Sequence, residues 1–269
     1  MTLRRALAAA LCAAGATAPG APAASVIDTR RIDDRLLELT LRTTALTAPT
    51  KVRVLLPDGY ARSAGRRYPV LYLLHGAGDD FTSWTRSGDA ERTTAGLPLI
   101  VVMPDGGRGG WYTDWRNGGR GGPPRWESYH MGELIPLVDR RFRTVAARRG
   151  RAIAGLSMGG FGALSYAARH PDRFTAAASF SGGVDLNLQL GGQPAAKVAV
   201  DATSAQDGGA PGAVFGDFVT ENIRWRGHNP VDLARNLRGL GLALHSGNGQ
   251  PGGPFGATRS TSSSSPPTR

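Results

Sequence analysis

Lysine is nearly missing from this chain. Lys51 and Lys197 are the only two in 269 residues, so the formal net charge of +11 is carried by arginine. The arginines are spread along the whole length, singly or in adjacent pairs, with no dense run. A nucleic-acid footprint would gather them on one face, so the spread argues against a nucleic-acid partner. Attraction to an anionic cell envelope is compatible with the charge. Cysteine is equally scarce: Cys12 stands alone, which excludes an intramolecular disulfide. Acidic residues stop at Asp232 and histidines at His245. From Pro251 onward the sequence is of low complexity, and a disordered tail is expected over residues 251–269.

The first 24 residues pair Arg4 and Arg5 with a short, alanine-rich apolar run and small residues ending in Ala21-Pro22-Ala23. That is the layout of a secretory signal peptide, and the run is too short for a good membrane span. Cys12 falls inside this segment, preceded by Leu11 where a lipoprotein signal would place a small residue. The mature protein is expected to be secreted (extracellular) and free of cysteine.

The remainder, residues 25–250, is large enough for one packed domain. Residues 35–43 and 50–56 alternate apolar with polar side chains and predict paired antiparallel strands. Continuous apolar runs at 68–74 and 97–103 predict strands buried on both faces. Helical spacing covers 126–142, with Pro136 as a potential kink. A short strand at 150–155 leads directly into a helix at 160–170. Another strand is expected at 174–182, a short helix capped by Asn229 at 229–237, and a last strand at 241–247. Strands alternating with helices predict a mostly parallel sheet flanked by helices. The glycine-rich stretch 106–126 carries Trp111, Tyr112, Trp115 and Trp126, which suggest a substrate loop walling a cleft. The alternative is a loop whose aromatics cover the core.

Gly155-Leu156-Ser157-Met158-Gly159 fits the G-x-S-x-G pattern, which means little by itself in a chain with 38 glycines. Its setting between a buried strand and a helix gives it weight, because a sharp turn there presents a serine hydroxyl for nucleophilic attack. Ser157 is therefore the predicted nucleophile. An oxyanion hole needs two aimed backbone N–H groups, and Met158 and Ala77 in "LLHGAGDD" are the candidates. His75 in that segment is read as shaping the loop.

"YPVLYLLHGAGDDFTSW", "VVMPDGGRGGWYTDW", "WESYHMGELIPLVDRRF", "AGLSMGGFGALSYAARHPDRF" and "HSGNGQPG" occur in one order. That order resembles the esterase family containing S-formylglutathione hydrolase (esterase D), feruloyl-type esterases and the antigen 85 mycolyltransferases. The pattern looks closest to the mycolyltransferase-like branch. The resemblance implies an α/β-hydrolase fold, a serine–acid–histidine triad, acyl transfer through an acyl-enzyme, and neither metal nor cofactor. It also implies a small-molecule or lipid/sugar ester as substrate.

One part of the pattern does not match. In this family the acid follows the strand corresponding to "GLALHSGNG" and the histidine comes after one further strand; here neither residue type occurs in those places. The fold is thus expected to lack its C-terminal strand and helix, as a shifted reading frame or truncated gene model near Pro251 would produce. Asp185 is a substitute acid, and His228 and His245 are the substitute bases to consider. His170 is expected to cap a helix, and His130 to lie at a surface or interface. Without a base, activity would be impaired. The alternative function is a non-catalytic cell-envelope or carbohydrate-binding pseudoenzyme.

Overall fold

A computed structural model describes residues 24–190 and 193–247. The predicted signal peptide, up to residue 23, and the predicted tail lie outside the described residues. Eight strands form one mixed sheet: β1 (Ser25–Arg31), β2 (Leu36–Arg42), β3 (Thr50–Leu55), β4 (Val70–Leu74), β5 (Ile100–Pro104), β6 (Arg151–Leu156), β7 (Ala176–Phe180) and β10 (Gly241–His245). Between the last two lies a minimal hairpin, β8 (Gln189–Leu190) with β9 (Gln193–Pro194). The sheet order is β1-β2-β3-β5-β4-β6-β7-β10. β1 through β3, and β3 with β5, pair antiparallel; β5, β4, β6, β7 and β10 are mutually parallel. The crossing of β4 and β5 makes the topology that of the α/β-hydrolase fold.

The apolar runs explain the layering. Side chains alternate across a strand, so a strand covered on both faces must be apolar throughout. In β5, Val102 faces one cluster with Tyr72, Ile153 and Phe161, whereas Val101 and Met103 face another with Leu73 and Ala154. The larger cluster is covered by α3 (Ile135–Arg141) and α4 (Met158–Arg169). The smaller is covered by α1 (Ser83–Arg86) and α2 (Ala90–Thr93), through Trp84 and Ala90. Among the described residues β1 and β10 are the edge strands, and on β10 Leu242 and Leu244 are exposed.

The structure refines the local expectations. Residues 128–134 form a wide π-turn before α3, with Pro136 in the first turn of α3. Proline has no N–H to donate, which suits an opened turn at this point. The segment 229–237 narrows to a 3-10 turn at Ala234–Leu237. Its intended cap, Asn229, instead spends its side chain on Leu186 N and Asp185. β1 and α5 (Ala195–Ser204) were not anticipated, and α6 (Asn222–Arg226) precedes the 3-10 turn.

Candidate active site

Ser157 occupies the sharp turn between β6 and α4, exposed, with φ 54° and ψ −117°. A side chain in that sparsely populated region costs about 1–3 kcal/mol, sustained only because the surroundings enforce it. The enforcement is visible. Ser157 N donates to Phe180 O at 2.8 Å, and Ser157 O accepts from Phe161 N at 3.0 Å. A Cβ on Gly155 would lie 2.1 Å from Gly159 O, and one on Gly159 would lie 2.3 Å from Leu74 O. The turn therefore closes only with glycine at both places.

The loop after β4 comes up beside the serine: a Cβ on Gly76 would sit 3.6 Å from the Ser157 Cβ. His75 holds this loop. Its Nε2 accepts the Gly106 N–H at 2.9 Å, so the imidazole proton must sit on Nδ1, 2.8 Å from Gly76 O. Tyr112 donates its hydroxyl to His75 O at 2.9 Å, and Gly78 N donates to Arg108 O at 2.7 Å. Among the described residues the N–H groups of Ala77 and Met158 have no acceptor. Met158 N opens α4, where the helix dipole favours negative charge.

Sequence reasoning missed the clamp on the glycine-rich loop. Asp207, a hundred residues downstream, accepts from Arg108 N at 3.1 Å and Gly109 N at 2.8 Å. No local signal announces a contact at that separation.

The aromatic loop differs from the expected wall. Trp111, Tyr112, Trp115 and Trp126 are all buried in the larger core cluster. Tyr112 fits against Gly106 and Gly162, and Trp111 Nε1 donates to Thr203 Oγ1 at 2.8 Å. Trp115 and Trp126 border cavities, Trp126 one of about 240 Å³ beside Asp105 and Asp207. Burying large rings outweighs displaying them when glycines let the backbone approach the core.

Apart from His75, whose ring is spent on the loop beside the serine, the histidines are engaged elsewhere or lie across the sheet. His130 is buried rather than at a surface: its Nδ1 is 2.9 Å from the Tyr166 hydroxyl and its Nε2 is 2.8 Å from Asp105 O. Burial holds its pKa down to about 4. His170, at the end of α4, donates to Glu127 at 2.8 Å. His228 lies at the same end, 2.8 Å from Arg224 O, and burial beside Arg169 depresses its pKa to about 4. Burial alone would raise Glu127, but His170 and Arg169 hold its carboxyl down to about 2. Asp185 spends its carboxylate on Asn187 N and Asn229 Nδ2, both at 3.0 Å. His245 alone is exposed, stacked on the Phe180 ring with centroids 5.0 Å apart. None of the five hydrogen-bonds Ser157 among the described residues.

A strained serine at a strand–helix turn beside a glycine-rich loop after the neighbouring strand is the strand–turn–helix elbow of an α/β-hydrolase fold. The family model described as "Putative esterase" matches residues 43–263, and the chain belongs to that family. Esterase Rv1288 of Mycobacterium tuberculosis is 40% identical over 224 residues, covering 82% of this chain and 48% of the relative. Ag85B of Mycolicibacterium smegmatis, a diacylglycerol acyltransferase/mycolyltransferase, is 34% identical over 202 residues, covering 71% of this chain and 59% of the relative. The chain thus spans about half the length of the curated relatives it matches. Among solved structures, MPT51 of M. tuberculosis superposes with a TM-score of 0.62 at 26% identity, covering 77% of this chain and 72% of that one.

Proposed function

We propose that this chain is a secreted serine esterase or acyltransferase that cleaves carboxylic esters through an acyl-enzyme at Ser157. The observation that carries the reading is the strained, exposed Ser157 beside two unengaged N–H groups, Ala77 and Met158. The Ser157 hydroxyl attacks the ester carbonyl and loses its proton to a base. The oxyanion accepts from the Ala77 and Met158 N–H groups, and the alcohol leaves with the proton. Water or a sugar hydroxyl then adds to the acyl-enzyme and Ser157 departs. No metal enters these steps. Secretion rests on the signal-peptide layout of residues 1–24; the intact mass of protein from the culture medium tests it.

The base is the open position. His75, His130, His170 and His228 are engaged as described, which leaves His245. It pairs with Phe180, which pairs with Leu156, so it sits two strands from the elbow, roughly 10 Å between backbones. Asp185 is committed to its turn. The absence of an imidazole bonded to Ser157 among the described residues favours a second reading, a carbohydrate- or envelope-binding protein with a silent serine.

Hydrolysis of p-nitrophenyl butyrate separates the two. The enzyme reading expects turnover above buffer that falls to background in Ser157→Ala and at least tenfold in His245→Ala. Folded wild-type protein with no turnover above buffer supports the binding reading.

A further inference from the structure

A cavity of about 450 Å³ opens at the end of α4 remote from Ser157, bordered by Arg169, Arg173, Arg224, Glu127, Asp114 and His170. The twelve residues of α4 put it roughly 18 Å from the elbow. The three arginines come from three separate places: the last turn of α4, the turn after it, and α6.

The acidic members are already taken. Glu127 Oε1 accepts from Arg169 Nε and His170 Nε2, each at 2.8 Å. Both Asp114 oxygens are occupied by Ser128, at 2.9 Å from its N and 2.5 Å from its Oγ. Arg224 Nη2 donates to the Asp114 carbonyl, but two guanidinium donors are unmatched. Arg224 Nε and Arg173 Nε are buried without an acceptor. The Arg173 Nε lies 3.5 Å from the exposed Asp172 carboxylate without making a hydrogen bond.

A helix C-terminus gathers cations for its own sake, but α4 is closed by other groups. His170 N donates to Tyr166 O at 2.8 Å, and Asn236 Nδ2 donates to Ala168 O at 3.0 Å. Arg169 Nη1 reaches instead to Gly227 O at 2.6 Å. Arg224 is pushed below the usual guanidinium range by burial and by the nearby Arg169. Three guanidiniums against the two carboxylates Glu127 and Asp114 leave the cavity lining with a formal excess of one positive charge, and two buried guanidinium N–H donors are unmatched.

From this arrangement we propose that the cavity binds a tetrahedral oxyanion, a phosphate or phosphate monoester, between the Arg169, Arg173 and Arg224 guanidiniums. Guanidinium forks match such an anion through paired charge-assisted hydrogen bonds. The site lies apart from Ser157 and does not depend on its chemistry.

Titration calorimetry on the full chain, in chloride buffer of constant ionic strength, tests the site with inorganic phosphate and with glycerol phosphate. Saturable binding of either supports the proposal, and the tighter of the two identifies free phosphate or an ester as the source. Arg173→Gln and Arg224→Gln are each expected to weaken binding at least tenfold. Arg173→Gln leaves the α6 packing untouched and keeps the test meaningful if Arg224→Gln misfolds. Arg92→Gln, on the remote α2, is expected to bind like wild type. No heat from either ligand at 20-fold excess over about 1 mM, or equal affinity in Arg173→Gln, overturns the site.

Discussion

Lowering the pH from 7 to 4.5 charges imidazoles in the unfolded chain while His130 stays neutral in the folded one, because burial holds its pKa down to about 4. The unfolded state then binds more protons, so stability is full above about pH 6.5 and is lost as the pH falls toward 4. A gap of about 2.5 units at ~1.36 kcal/mol each corresponds to roughly 3 kcal/mol, of which about 2.5 kcal/mol is lost by pH 4.5. His228 is depressed to the same value and moves in the same direction. Glu127 contributes only below about pH 4.5, as the pH falls toward its folded pKa of about 2. Urea unfolding at pH 7, 5.5 and 4.5 measures the slope. Wild type is expected to lose roughly 5 kcal/mol across the range, and His130→Gln about half as much, from a lower starting stability. Parallel pH slopes for the two proteins would refute the assignment of His130 as a buried neutral imidazole.

Three further outcomes follow from the packing. Gly159→Ala sets a Cβ 2.3 Å from Leu74 O, and a loss of about 3 kcal/mol or more is expected, read as a lowered urea midpoint. Tyr112→Phe removes the hydrogen bond to His75 O; about 1–3 kcal/mol of stability and a slower esterase rate are expected to go together, measured on one preparation. Glu127→Gln leaves Arg169 and His170 without their anion, and a drop of a few kcal/mol at pH 7 that shrinks toward pH 3 is expected by chemical denaturation.

Much of this architecture is legible from composition along the chain. β4 and β5 are apolar because both sheet faces are covered, and α4 follows β6 with no linker, so the elbow could be read before any coordinates. Ala77 and Met158 are candidates from sequence because a backbone N–H depends on chain position and not on side-chain identity. The misread side chains share one cause, which is partners distant in sequence. His130 reads as a helix-surface residue until Tyr166 and the Asp105 carbonyl close over it. The aromatics of 106–126 read as a wall until Thr203 and Gly162 supply the surfaces they bury against. Asp207 gives no hint that it secures the loop at Arg108 and Gly109. β1 leaves no signal in the sequence for a different reason: it is mostly exposed, with little periodicity to read.

The central claim is that Ser157 is a nucleophile poised in a preformed oxyanion hole. Its most direct test is exposure of the folded protein to a fluorophosphonate probe, followed by intact-mass measurement and peptide mapping. The account predicts one adduct, on Ser157, absent from Ser157→Ala. A folded protein that takes up no probe, or carries it on another residue, would contradict it.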